Sequence, residues 1–210
     1  MLTLYDYAPS QNAWKVRALL ALLKQPYRTV WVDLFGTRDA AFLAANPLGA
    51  VPVLIDESGR SLPESNAILC HLARGTRYRP DDSWIEAEIL RWLCFEQDYV
   101  QSTVATLRFW VQTGRLAANA DAAEGKRVRA LQILDVLDRH LAGRPMLAGD
   151  RLTIADIAVY AYVHRAEEAD LGLEPFRALR RWINAFGEAA APLPPHHPYA
   201  VDPKVMVARA

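Results

Sequence analysis

The sequence predicts two domains of different class, a small α/β domain followed by an all-α one. Three observations carry this prediction. Residues 2–74 alternate segments rich in β-branched and aromatic residues with segments of helical periodicity. Residues 76–83 (TRYRPDDS) are polar, contain a proline and break the pattern. Beyond Gly75 no strand pattern recurs, and residues 84–113 run without a glycine or proline. The expected boundaries are an α/β domain over 1–76, a linker over 77–84, and a helical domain with a proline-rich tail over 85–210.

Taken in order, residues 2–7 are apolar and aromatic and read as a strand. Val16, Leu19, Leu20 and Leu23 then follow helical spacing, with Lys15 and Lys24 on other faces, until Pro26 stops the helix. Residues 27–34 (YRTVWVDL) read as a second strand, 37–45 as a short helix and 51–55 as a third strand. Asp56-Glu57-Ser58-Gly59 make a turn, residues 60–63 a brief edge strand, and 65–74 a helix. The order βαβ–α–ββ–α matches a thioredoxin-like domain, a periodicity that other small α/β sheets share. In the second half one long or bent helix is expected over 84–113 and another over 124–141. A further helix begins near Pro175, with Phe176, Leu179, Trp182, Ile183 and Phe186 as its buried stripe.

The 210 residues are 52% apolar, and 24 Lys and Arg balance 24 Asp and Glu. Zero net charge gives no support for nucleic acid or an anionic membrane as partner. No apolar run approaches the ~18 residues of a membrane helix, and the first residues lack the pattern of a signal peptide. Cys70 and Cys94 fall in helical patterns and make no disulfide framework, so a reducing cytoplasm is expected. No phosphate loop occurs, and no His, Cys or Asp set has metal-ligand spacing. His196-His197 read as part of a solvated tail, His71, His140 and His164 as surface residues, and Cys70 as core. The tail after Pro192 either covers a cleft or lies on the surface.

Two segments carry chemistry. NPLGAVPVL (46–54) ends a helix, turns at Gly49 and enters a strand through Pro52. A proline at a strand entry donates no ladder hydrogen bond, which leaves the Val51 backbone beside it free for a partner outside the sheet. ESNAI (64–68) sets Glu64 and Ser65 where an apolar helix begins, and helix-start amides favour carboxylates. Together they predict a site for a small, extended, peptide-like anion. At the junction of the first strand and helix, Ser10 stands where a hydroxyl either caps the helix or donates to a ligand thiolate. The two roles are compatible.

These motifs, with the run SQNAWKVRALLALL after Pro9, resemble the serine-type cytosolic glutathione S-transferases. The resemblance covers nearly the whole chain. It implies glutathione as co-substrate, a cis Pro52, pairing of Val51 with the tripeptide backbone, and Glu64 and Ser65 on the γ-glutamyl end. It places Ser10 on the thiolate, with Asn12 as a second polar group near the sulfur. Tyr5 and Tyr7 remain rivals of Ser10, because other branches of the family use a tyrosine at the end of this strand. The turn lacks the cysteine of a thioredoxin or glutaredoxin, which argues against disulfide exchange through an enzyme thiol. The resemblance further implies a homodimer with the third helix of the first domain and the long helix near its two-fold axis.

The activity so implied is attack of bound thiolate on a hydrophobic electrophile held against the helical domain. Tyr99, Thr106, Arg108, Phe109 and Trp110 are the wall candidates, with Arg108 suited to an anionic group. Alternatives are a glutathione-dependent peroxidase or disulfide-bond reductase on the same fold, and a non-catalytic binding module. GDRLTIADI (149–157) is a structural element instead. Thr153 caps the next helix while Asp156 reaches back, and Leu152 and Ile157 sit at the ends of a hydrophobic staple.

Overall fold

The computed structural model describes residues 1–201. Its first part is a four-stranded sheet flanked by helices: β1 (Leu2–Asp6), α1 (Gln11–Leu22), β2 (Tyr27–Trp31), α2 (Ala40–Ala45), β3 (Val53–Ile55), β4 (Ser61–Pro63) and α3 (Ser65–Leu72). The strand order is β2-β1-β3-β4. β1 pairs parallel with β2 (Leu4 opposite Thr29) and antiparallel with β3 (Leu4 opposite Leu54), and β4 closes the edge antiparallel to β3. Pro63 thus lies on an edge strand, where its missing donor costs no ladder bond. This is the thioredoxin-like arrangement.

The remainder is helical: α4 (Ser83–Phe95), a π-helical stretch (Glu96–Ala105), α5 (Thr106–Gln112), α6 (Ala120–Leu141), α7 (Ile154–Val163) and α8 (Arg177–Ala189). The long helix expected over 84–113 is therefore one continuous run with a widened middle. Hydrogen bonding from i to i+5 brings residues five apart onto one side, a change of period that a 3.6-residue pattern does not anticipate.

α1 is the hinge of the architecture. Val16 and Leu20 pack with Leu4, Leu54 and Ile68 beneath the sheet. Trp14, Ala18 and Leu19 belong to the larger core with Ile157, Tyr160 and Ala161 of α7. A helix with apolar neighbours on both sides has no solvent face. Lys15, set apart in the sequence from the apolar stripe, is accordingly fully buried.

The turn at 149–157 behaves as its capping pattern predicts. Asp156 Oδ2 accepts from the Thr153 amide at 2.9 Å and from its hydroxyl at 3.0 Å. Its Oδ1 accepts from the Leu147 amide at 2.9 Å and Trp182 Nε1 at 3.0 Å. One buried carboxylate thereby joins α7, α8 and the preceding loop.

Of the two courses expected for the tail, covering a cleft or lying on the surface, the structure shows the first, and it is His196 that departs from expectation. Residues 192–200 fold back across α1: Trp14 Nε1 donates to the Pro194 carbonyl at 2.9 Å, and His196 stacks on the Trp14 ring with centroids 4.6 Å apart. His196 is not solvated, and His164 is no surface residue. Their rings meet with Nε2 atoms 3.0 Å apart, and burial pushes each down to about 3. An imidazole stacked on an indole covers that apolar face while its nitrogens keep polar partners, which is why a polar, proline-rich sequence docks here.

Candidate active site

The turn between α2 and β3 is built by Asn46, whose amide donates to the Ala50 carbonyl at 2.8 Å while its oxygen accepts from Leu48 at 3.2 Å. Gly49 adopts φ +62, a conformation that suits glycine, and its carbonyl accepts from Arg38 at 3.2 Å. Arg38 also donates to the carbonyls of Asp33, Leu34 and Gly36 at 2.8–2.9 Å, fixing the loop after β2 over the turn. The chain then enters β3 through a cis Val51–Pro52 bond. The Val51 backbone forms no hydrogen bond with another described residue. At the other end of this rim Glu64 takes φ +73, an uncommon conformation that swings the chain from β4 into α3 and sets buried Ser65 at the helix start.

Between this rim and the helical half lies a cleft of about 390 Å³. Ser10, Asn12 and Val51 contribute its α/β side, and Gln101, Thr106, Phe109, Tyr162 and Tyr199 the opposite side. Ser10 is the N-cap of α1; its oxygen accepts from the Ala13 amide at 3.3 Å. Capping consumes an acceptor site only, so the hydroxyl proton is left to donate at the positive end of the helix. Asn12 Oδ1 accepts from Gln101 Nε2 at 2.6 Å and from the Ser65 hydroxyl at 3.3 Å. Ser65 is thus joined to the cleft through Asn12.

Below Ser65 lies a buried charge pair. Lys15 Nζ is 2.8 Å from Glu96 Oε2, and both side chains are fully buried. Lys15 also reaches Ser65 Oγ and Asn66 Oδ1 at 3.4 Å, and Asn66 Nδ2 donates to Glu96 at 2.9 Å. Burial lowers the Lys15 ammonium from its usual value and Glu96 opposes that. Glu96 and Gln101 both lie on the π-helical stretch, five residues apart, and both reach the α/β half.

The structure brings Ser10, Asn12, Val51, Thr106 and Phe109 to one cleft; Ser65 is tied to it through Asn12, while Pro52 and Glu64 adjoin Val51 and Ser65 in the chain without lining it. It does not bring Tyr99, Arg108 or Trp110 into the lining. Tyr99 packs on Phe95 at the surface, and Trp110 lies against the helical core under Lys126. Arg108 is buried and its Nε donates to Glu168 at 2.6 Å, so it does not stand free for a substrate anion. Tyr5 packs against Phe42, and Tyr7 against Tyr199 at 5.9 Å between centroids. Gln101, Tyr162 and Tyr199 were not anticipated. The nearest sequence signals were the charged Lys15 inside an apolar helix and a tyrosine in a proline-rich tail. Among the described residues no three His, Cys, Asp or Glu side chains gather as a metal would need.

Known proteins of this architecture match in both halves. Residues 4–77 match the glutathione S-transferase N-terminal domain and residues 120–185 the C-terminal domain. Glutathione S-transferase GstB of Escherichia coli is 30% identical over 204 residues, spanning 91% of this chain and 95% of that protein. A crystal structure of a possible glutathione S-transferase from Rhodopseudomonas palustris is 40% identical, with a TM-score of 0.86 over 90% of this chain and 94% of that one. A glutathione transferase family member from Pseudomonas fluorescens, solved with two glutathione molecules bound, is 27% identical, with a TM-score of 0.78 over 88% and 87% of the chains. With both domain types matched along the chain and the cleft formed between them, this protein belongs to the glutathione S-transferase family.

Proposed function

We propose that the protein is a glutathione transferase that holds its co-substrate as thiolate by a hydrogen bond from Ser10 and directs it at a hydrophobic electrophile. In this reading residues 1–76 form the glutathione-binding domain, 77–84 the linker and 85–210 the helical domain. The observation that carries it is the position of Ser10: its oxygen caps α1 and the residue lines a cleft with Asn12 and Val51, so its hydroxyl is available to donate to a group bound there. A free thiol with a pKa near ~8.5 is little ionised at neutral pH, and each unit of depression requires about 1.4 kcal/mol of preference for the thiolate. A hydroxyl donor at a helix N-terminus supplies that preference without a covalent intermediate. Val51 pairs with the tripeptide backbone beside Pro52, and the α3 start with Glu64 and Ser65 receives the γ-glutamyl end.

Titration of the ultraviolet thiolate absorption of added glutathione tests this reading directly. The bound thiol is expected to ionise well below the free one. In Ser10→Ala that depression should shrink by at least about one unit, and turnover should fall at least about tenfold. Loss of the cap costs only ~1 kcal/mol, so the variant stays folded. Full activity in Ser10→Ala would move the role to Tyr5 or Tyr7. Binding without any shift would favour a non-catalytic module.

The Pseudomonas neighbour with two bound glutathione molecules supports a second reading, a glutathione-dependent peroxidase or disulfide-bond reductase. Turnover of hydroperoxides or mixed disulfides, with none of aryl halides, would select it. We place the protein in the cytoplasm as a homodimer acting in detoxification. Exposed Trp84 and Leu90 on α4 are consistent with an apolar partner surface, and no described helix is long and apolar enough to cross a membrane.

A further inference from the structure

The tail segment 192–200 does more than cover α1. Its anchor is His196, whose ring stacks on Trp14 and lies 4.5 Å from that of His164, with Gln11 Oε1 3.1 Å from Nδ1. Three residues on, the Tyr199 amide donates to Gln112 Oε1 at 3.1 Å. Gln112 is itself oriented, because its Nε2 donates to Glu168 Oε2 at 2.7 Å, the oxygen that also accepts from Arg108. Between these ties the Tyr199 ring enters the cleft that holds Ser10. It meets Phe109 edge-to-face at 5.3 Å and Tyr7 at 5.9 Å, with the Arg108 guanidinium 5.3 Å from its centre. Arg108, read from sequence as an anchor for substrate, instead supports the ring that forms the wall.

We infer that Tyr199 is a specificity-determining residue of the electrophile subsite, that it selects planar apolar groups by ring packing with Phe109, and that the His196 anchor sets where it stands. This inference rests on the transferase reading of the same cleft. A ring held at its amide, its edge and its face keeps one orientation, and a rigid aromatic wall favours a flat group over a branched or charged one. Burial holds the Tyr199 phenol up at about 12, so it stays uncharged at neutral pH.

The test needs no turnover. Binding of glutathione and of unreactive S-benzylglutathione to the full chain is measured by calorimetry, the benzyl group reporting on the subsite alone. Tyr199→Ala should weaken S-benzylglutathione by about three- to tenfold, the range of one lost aromatic pair, and leave glutathione within about twofold. Tyr199→Phe should restore the wild-type ratio. His196→Ala should shift the ratio the same way, and His197→Ala, at an exposed neighbour, should not. An unchanged ratio in Tyr199→Ala, or equal losses for both ligands, overturns the subsite assignment. An effect of Tyr199→Ala without one of His196→Ala overturns the anchor. A wild-type chain that binds neither ligand refutes the transferase reading and this inference with it, an outcome distinct from the others.

Discussion

Two buried carboxylates, Asp156 and Glu96, solve the same desolvation problem in opposite ways. Asp156 has no cationic partner among the described residues, yet its two oxygens accept four hydrogen bonds, from the Leu147 and Thr153 amides, the Thr153 hydroxyl and the Trp182 indole. Glu96 has a cation at 2.8 Å, but only Oε2 is engaged, and Oε1 has no hydrogen-bond partner among the described residues. Complete satisfaction by fixed donors makes a rigid joint. A buried ion pair with an oxygen to spare is a weaker source of stability, because desolvation offsets much of the attraction. Asp156 lies inside the helical core, whereas Lys15–Glu96 sits beneath Ser65 at the junction of the two halves. The contrast sets a carboxylate that joins elements of the helical core against one that lies beneath the proposed glutathione site.

The largest effect should come from the fold side. Asp156→Ala leaves the Leu147 and Thr153 amides and the Trp182 indole donor buried without their acceptor and removes the Asp156 half of the α7 capping box. Denaturant unfolding should report a loss of about 3–5 kcal/mol. Glutathione affinity of the molecules that remain folded should not change. If that affinity falls with stability, the division between the two acids breaks.

The site side should respond in the reverse sense. Glu96→Gln leaves Lys15 buried beside a neutral amide and should cost about 2–4 kcal/mol, within the range for breaking a buried pair. Lys15→Met with Glu96→Leu removes both charges and should recover most of that stability. It should not recover glutathione binding, because Ser65 and Asn66 lose their charged partners at the α3 start and keep only Asn12 and the Leu93 carbonyl. Calorimetric titration of the single and double variants separates the two quantities. Recovery of both in the double variant would show the pair to be structural after all.

This difference also explains what could be read in the sequence. The Asp156 joint is local: Thr153 and Asp156 stand three residues apart around a helix start, a spacing that capping chemistry makes legible. The element order and the 46–54 turn are legible for the same reason, since periodicity is local and Asn46, Gly49 and Pro52 act within a few residues of each other. Lys15 and Glu96 come from different halves, and Glu96 shares a face with Gln101 only because the helix widens there. A 3.6-residue period hides that face. The wall of the cleft is legible only in part: of the five candidates on the long helix Thr106 and Phe109 line it and Tyr99, Arg108 and Trp110 do not, whereas Tyr199 arrives from a tail whose docking depends on Trp14 and His164.

That docking is a third junction, held without charge, and pH probes it most gently. The Nε2 atoms of His164 and His196 lie 3.0 Å apart, a contact that requires at least one of them to be bare. Burial is the main cause that holds both rings down to about 3, with Arg165 and Arg108 nearby adding repulsion and Arg17 acting on His196. Each ring therefore binds its proton less readily folded than unfolded, where an imidazole titrates near ~6.5. The stability it confers is complete above that value and is lost as pH falls from there toward about 3. Compared with His196→Gln, wild-type protein should lose stability more steeply across this window. The difference should stay below ~1.4 kcal/mol per pH unit, since the ring is partly exposed. Parallel curves for the two proteins would mean that His196 keeps its ordinary proton affinity, and that the tail is held by its stacking on Trp14 and its tie to Gln112 instead.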